Sequence, residues 1–312
     1  MIKYILKRLL AMIPVVLLVI FIIYLILYLT PGDAAGIILG ADYTQEGAHA
    51  IREKLGLNRP FLIQYFDYVF KLVRGDLGVS YITGSPVMDQ ISVRFPNTLI
   101  LVLISMFFCI LMSMPIGIQS AVKPNSILSN ISSALAMIGL AMPNFWLGLL
   151  AILLFSVKLG WLPSAGSMTP AGLVLPAFTQ SVAFMVGIMR QTRSSMLETL
   201  SQDYVRTAKA KGVSRHDVIN KHALKNAVLP VITIIGLNLG MQLGGSVLTE
   251  SVFAFPGMGR LLIGAINQRD TPTILSSLVV LAICVAVANL AVDIIYAFVD
   301  PRIRAAYSAG RK

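Results

Sequence analysis

Three histidines and two cysteines are the whole supply of imidazole and thiol side chains in a chain of 312 residues. His49, His216 and His222 are scattered, and no H-E-x-x-H pattern or His-rich tract brings two of them onto one helix face. A membrane enzyme would need a catalytic or metal constellation, and these residues form none. Cys109 and Cys284 fall inside apolar runs and read as small hydrophobes, with no disulfide framework. The chain has no G-x-x-x-x-G-K-[ST] loop to cradle a phosphate, so any ATP that drives it is hydrolysed by another polypeptide. Amides remain. Asn238 and Gln242 lie four residues apart inside an apolar run, and Asn289 and Asp293 share a face of a later one. Asp293 is close to the end of its run, which favours an interfacial or helix-pairing role over a proton relay.

The elements that must hold these groups are membrane spans. Charged residues make up 12% of the chain and hydrophobic ones 56%, against about 25% charged in an ordinary soluble domain. Six windows free of Asp, Glu, Lys and Arg occur: Leu9–Gly32, Phe95–Val122, Pro124–Val157, Leu159–Met189, Asn226–Thr249 and Thr271–Val292. A spanning helix needs about 20 apolar residues, so the windows predict six helices over roughly residues 9–29, 98–121, 132–157, 171–190, 227–249 and 275–298. The first follows Lys3, Lys7 and Arg8 as a signal peptide would, but its apolar run exceeds the 7–15 residues of an h-region and reads as an uncleaved span. A secondary transporter usually sets ionisable groups mid-membrane, and none of the windows contains an Asp, Glu, Lys or Arg.

The net charge of +11 sits in short stretches between apolar runs, a pattern of membrane topology and not of nucleic-acid binding. With the N-terminus inside, 16 of the 25 Lys and Arg fall on the cytoplasmic side. Both termini are therefore expected inside, and residues 30–97 outside. That outer segment contains a helix-like stretch Gln45–Leu55, a Gly-Leu-Asn-Arg-Pro turn, an amphipathic aromatic stretch Leu62–Val73 and turns at Arg74-Gly75-Asp76 and Gly78. It reads either as a cap over helix ends or as a docking surface for an outside partner.

Residues 190–226 form a cytoplasmic connection with eight basic residues: Arg190, Arg193, Arg206, Lys209, Lys211, Arg215, Lys221 and Lys225. Ser201 is expected to cap a helix through Lys211, with Gly212 in the left-handed position beyond it. Ser214-Arg215-His216-Asp217 fits a capping box that restarts a helix toward Leu224, with Asn226 and Pro230 marking entry to the fifth span. Positive-inside topology alone accounts for the charge. A helix pair around a glycine hinge also suits transmission of force from a soluble partner. In the fifth span Gly236, Gly240 and Gly244 form a small-residue stripe for close helix packing. Asn238 and Gln242 lie on the opposite face, where they either line a wet path or hydrogen-bond to a neighbouring helix.

The stretch Asp203-Tyr204-Val205-Arg206-Thr207-Ala208-Lys209-Ala210-Lys211-Gly212, with Lys221-His222-Ala223-Leu224-Lys225-Asn226-Ala227-Val228-Leu229-Pro230, resembles the EAA-loop region of binding-protein-dependent ABC permeases. Leu55-Gly56-Leu57-Asn58-Arg59-Pro60, Gly75-Asp76-Leu77-Gly78, Met142-Pro143-Asn144-Phe145-Trp146-Leu147-Gly148, Leu159-Gly160-Trp161-Leu162-Pro163, Phe255-Pro256-Gly257-Met258-Gly259-Arg260 and Val299-Asp300-Pro301-Arg302-Ile303-Arg304 are similar to the first permease of dipeptide, oligopeptide and nickel importers. Arg206-Thr207-Ala208 stands where the broad family has Glu-Ala-Ala. The resemblance implies an all-α integral membrane protein of type I ABC importer permease architecture, with six transmembrane helices and a small extracytoplasmic region after the first. The expected partition is 1–29, 30–97, 98–298 with the connection 190–226, and a cytoplasmic tail 299–312. The implied function is import of di- or oligopeptides, or alternatively of nickel or a metal chelate. Implied partners are a second homologous permease, two ATPase subunits that bind ATP and Mg, an extracytoplasmic substrate-binding protein and the lipid bilayer. No cofactor is expected in this chain itself. Asp203, Arg206, Ala208, Lys209, Gly212, Val213 and Ser214 are the residues expected to couple to the ATPase.

Overall fold

The computed structural model describes residues 2–30 and 34–299. The tail 300–312, including the Asp300–Arg304 part of the last matching segment, lies outside the described residues. The helices are α1 (Ile2–Leu29), α2 (Ala34–Leu39), α3 (Gln45–Lys54), α4 (Phe61–Val73), α5 (Val87–Val122), α6 (Ile127–Ala141), α7 (Asn144–Ala151), α8 (Pro170–Leu200), α9 (Asp203–Ala210), α10 (Arg215–Asp217), α11 (Leu224–Val252), α12 (Met258–Asn267) and α13 (Thr271–Val299). Among the described residues five helical runs are long and apolar enough to cross a membrane: Arg8–Leu29, Val87–Val122, Pro170–Leu200, Arg215–Val252 and Thr271–Val292.

The expected third span, 132–157, is not one helix. α6 ends at Ala141, Met142 adopts extended angles (φ −87°, ψ 126°), and α7 starts after Pro143. The proline ring disfavours helical angles at the residue before it, and here Met142 is extended, so the run is divided at Met142-Pro143. α7 then continues as a π-helical segment, Ile152–Lys158, which ends before Gly160 at φ +64°. The helices that contain the expected fourth and fifth spans run on beyond them. α8 extends to Leu200, and α10, a π-helical segment Val218–Ala223 and α11 form one run from Arg215 through Pro230 to Val252.

The chain forms two compact units, Met1–Leu99 with Pro256–Ala286, and Ile100–Phe255 with Val287–Lys312. In the first, α4 packs on α1 through edge-to-face aromatic contacts of Phe21 with Phe61 and Tyr65, at 5.3 and 5.4 Å. A second cluster joins Leu77, Val87, Ile91, Met258 and Leu281. Gly75 and Gly78, at φ +78° and +80°, turn the chain on either side of Leu77. Asp270 is buried and binds this loop: it accepts hydrogen bonds from Ser80 Oγ at 2.5 Å, Tyr81 N at 2.9 Å and Thr273 Oγ1 at 2.6 Å. Burial, with the charge of Asp270, raises the Tyr81 phenol to about 12.

In the second unit α8 is the central helix. Of its apolar window 56% is buried, against 6% for α1. It meets α5 where Gly117 leaves no room for a side chain: a Cβ there would lie 2.7 Å from Thr192 Cβ and 2.8 Å from the Met189 carbonyl oxygen. Met106, Cys109, Ile188 and Val231 fill the space between α5, α8 and α11.

Candidate functional site

The basic connection folds into an elbow. α8 stops at Ser201, whose hydroxyl donates back to the Glu198 carbonyl at 2.7 Å. Ser201 is thus the end of α8 and not the expected cap of α9. The extended residue before α9 is Gln202 (φ −70°, ψ 148°), which makes no side-chain cap bond. Asp203 occupies the first turn, where a carboxylate meets the positive end of the helix dipole.

α9 has two faces. Val205 and Ala208, three residues apart, are 0% and 7% exposed and pack on Val218, with Leu200 and Val213 beside them. Asp203, Arg206, Thr207 and Ala210 lie on the opposite side and are exposed. The Asp203 carboxylate lies 3.7 Å from Arg206. Ala208 therefore points inward and is not on a contact surface open to a partner, a correction to its expected role. Val213 is half-buried; Lys209, Gly212 and Ser214 are exposed.

Gly212 closes α9 at φ +78°. Its N–H donates to the Lys209 carbonyl at 3.0 Å, and the Val213 N–H donates to the Ala208 carbonyl at 3.2 Å, the paired bonds of a left-handed helix end. A Cβ at position 212 would meet nothing within 4 Å, so only backbone conformation demands glycine. Ser214 then caps α10 by accepting the Asp217 N–H at 3.2 Å. Asp217 pairs with Lys221 at 2.9 Å, and that hydrogen bond holds its carboxyl below the usual range. Tyr204 adds a link outside the expected set: Asn226 Nδ2 donates to its phenolic oxygen at 2.8 Å, joining α9 to the start of α11. Both residues stand in the segments quoted above, but the link depends on how the chain folds back and sequence spacing does not reveal it. The π-helical turn at Val218–Ala223 was equally invisible; such turns occur often at functional sites.

The expected face assignment in α11 divides. Gly236 is buried, and a Cβ there would collide with Val292 of α13. Gly240 is buried, whereas Gly244 is exposed with open space around it. The stripe is therefore a packing surface at Gly236 and not at Gly244. Gln242 is 0% exposed. The Gln180 side-chain amide of α8 donates to the Gln242 backbone carbonyl at 3.3 Å and to its side-chain oxygen at 3.4 Å. Gln242 thus bridges helices instead of lining a wet path. Asn238 is half-buried. Gln180 was missed, although it is an amide in a charge-free window, the same signal that singled out Gln242.

Two family models cover nearly the whole chain: "Binding-protein-dependent transport system inner membrane component" at residues 113–305 and its N-terminal counterpart at residues 1–102. The oligopeptide transport system permease protein AppB of Bacillus subtilis is 42% identical over 311 residues, covering 96% of this chain and 98% of that one. The glutathione transport system permease protein GsiC of Escherichia coli K12 is 40% identical over 304 residues, covering 97% and 99%. Among solved structures, the inward-facing methionine ABC transporter MetNI matches with a TM-score of 0.58 at 23% identity, over 68% of this chain and 97% of that one. An amino acid ABC transporter matches at 0.52 and 15% identity, over 69% and 94%. These likenesses carry the type I importer fold. The chain belongs to the family of binding-protein-dependent transport system inner membrane components, as a multi-pass, non-catalytic permease subunit of an ABC importer that works with ATPase and substrate-binding partners.

Proposed function

We propose that this permease imports di- or oligopeptides, and that α9 and its turn receive the stroke of a cytoplasmic ATPase. The substrate class is supported by the oligopeptide and glutathione permeases that align over almost the whole chain. The observation that carries the coupling role is the two-faced α9. Val205 and Ala208 fix it to the permease, and Asp203 and Arg206, 3.7 Å apart, are exposed on its other side. A short helix so mounted, with α8 entering and the run into α11 leaving, passes a push to both long helices.

In the complete importer this chain pairs with a second, homologous permease. Two ATPase subunits bind ATP and Mg, and an extracytoplasmic binding protein delivers the peptide. Both termini and residues 190–226 face the cytoplasm and residues 30–97 face outward, a reading supported by the Lys and Arg distribution. Gln242 acts in helix pairing, and the half-buried Asn238 is the amide left as a candidate for the translocation path.

Reconstitution in lipid discs with the cognate ATPases and binding protein tests this reading. Peptide-loaded binding protein is expected to stimulate ATP hydrolysis and uptake. Stimulation by a non-peptide ligand alone would overturn the substrate class. An impermeant thiol reagent on intact cells should label Thr44→Cys and leave Ser201→Cys unlabelled; the reverse would invert the topology.

A further inference from the structure

A cavity of about 370 Å³ opens beside the elbow, and its lining has a mixed character. Val122 at the end of α5, Leu200 at the end of α8, and Val213, Val218 and Ile219 around the turn make its apolar walls. Lys209 and Arg215 are its cations. Among the described residues no carboxylate lines it, and neither cation forms an ion pair. Two unpaired positive groups over an aliphatic floor match an anionic amphiphile. They match neither a bare anion nor an uncharged apolar group.

Depth narrows the choice of amphiphile. The charge-free part of α5 runs from Phe95 to Val122, a rise of about 42 Å at 1.5 Å per residue. The hydrocarbon core is about 30 Å thick and the bilayer with its headgroups about 40–45 Å. When this run spans the membrane, Val122 therefore reaches headgroup depth at one surface. Basic pockets between helices at the cytoplasmic surface suit anionic lipid headgroups. Leu200, Val213 and Val218 belong both to the cavity wall and to the cluster that holds α9. An occupant would therefore brace α9 against the permease.

We propose that this cavity is a binding site for an anionic phospholipid, whose phosphate sits between Lys209 and Arg215 and whose glycerol and upper acyl chain lie on the aliphatic wall, and that its occupancy stiffens the elbow. This rests on the cytoplasmic placement of residues 190–226 proposed above.

The test uses the assembled importer purified from membranes that contain both phosphatidylglycerol and phosphatidylcholine, with co-purified lipid measured by mass spectrometry. The wild-type complex is expected to retain phosphatidylglycerol in excess over phosphatidylcholine. The double variant K209Q/R215Q should weaken that retention about tenfold or more, since each basic residue near a surface contributes about 1 kcal/mol. Ile219→Trp, which fills the cavity without changing charge, should weaken it as well. In discs, binding-protein-stimulated hydrolysis should rise with phosphatidylglycerol content in the wild type and stay flat in both variants. Absence of any phosphatidylglycerol excess in the wild type overturns the proposal. So does displacement by inorganic phosphate with Ile219→Trp behaving as wild type, which would mean a simple anion site. Loss of the ATPase subunits from K209Q/R215Q with lipid retention unchanged would assign the cavity to the ATPase interface, and would leave the coupling role of α9 standing while removing the lipid.

Discussion

The two long connections of this permease are held in opposite ways. Residues 30–97 are tied down by a buried carboxylate with three donors, at Asp270, and by rings of Phe21, Phe61 and Tyr65 that interlock at 5.3–5.4 Å. Residues 190–226 are anchored at their two ends by Met196 and Ala223, which pack on Ala121 of α5, while α9 and its turn in between are held by Val205 and Ala208 on Val218 and by one exposed bond from Asn226 to Tyr204. The first connection is built to stay in place. In the second only the tip, α9 with its turn, is compact, shaped by two caps and set on a small apolar footing. A small, well-formed module on a modest apolar footing can be pushed as a body, which is what coupling to a partner requires.

The contrast can be broken at its firm side first. Asp270→Ala removes the acceptor of three hydrogen bonds, and bonds to a charged group contribute about 1.5–3 kcal/mol each. We expect a loss of about 3 kcal/mol or more, read as a lowered unfolding midpoint of the purified complex and faster proteolysis within 78–86. Unchanged proteolysis there would show that the carboxylate does not anchor the loop. Next is the support beneath the elbow. Gly117→Leu forces side-chain atoms into Thr192 and the Met189 backbone, and overpacking of this kind costs about 1–3 kcal/mol. The variant should assemble poorly, and a normal yield of complex would mean that α5 and α8 do not approach so closely.

The light side predicts smaller stability effects and larger functional ones. Gly212→Val places a β-branched residue at φ +78°, at a cost of about 1–2 kcal/mol. Insertion should be unaffected, while transport and retention of the ATPase fall. Wild-type transport in this variant would show that the turn need not be left-handed. The smallest effect is expected from Gln242→Leu. Buried interhelical hydrogen bonds in membranes average about 0.6 kcal/mol. The variant should lower thermal stability slightly, with Gln180→Leu adding little on top. If Gln242→Leu instead abolished uptake at unchanged stability, the path role would be restored.

The sequence made the elbow legible because its signals are local. Gly212 in the left-handed position and Ser214 as a cap each follow from neighbouring residues, and the structure has both. The start of α3 at Gln45 is equally local. What was misread depends on distant parts of the chain. Helical periodicity places Ala208 and Arg206 on different faces, but only the position of Val218 decides which face is inward. The same holds for α11: opposite faces for Gly236 and Gln242 were evident, yet Val292 and Gln180 determine what each meets. Ser201 shows a competing local choice, its hydroxyl ending one helix instead of starting the next. The break at Met142-Pro143 was readable in principle, but an unbroken hydrophobic run outweighed it.

Site-specific cross-linking from the exposed face of α9 tests the central claim most directly. A photoreactive residue at Arg206, which is exposed and turned away from Val218, should form an adduct with the ATPase in the assembled importer, in greater yield when ATP binds. The same residue at Arg59, in the firmly held connection, should form no ATPase adduct. ATPase adducts from position 59 with none from position 206 would contradict the account.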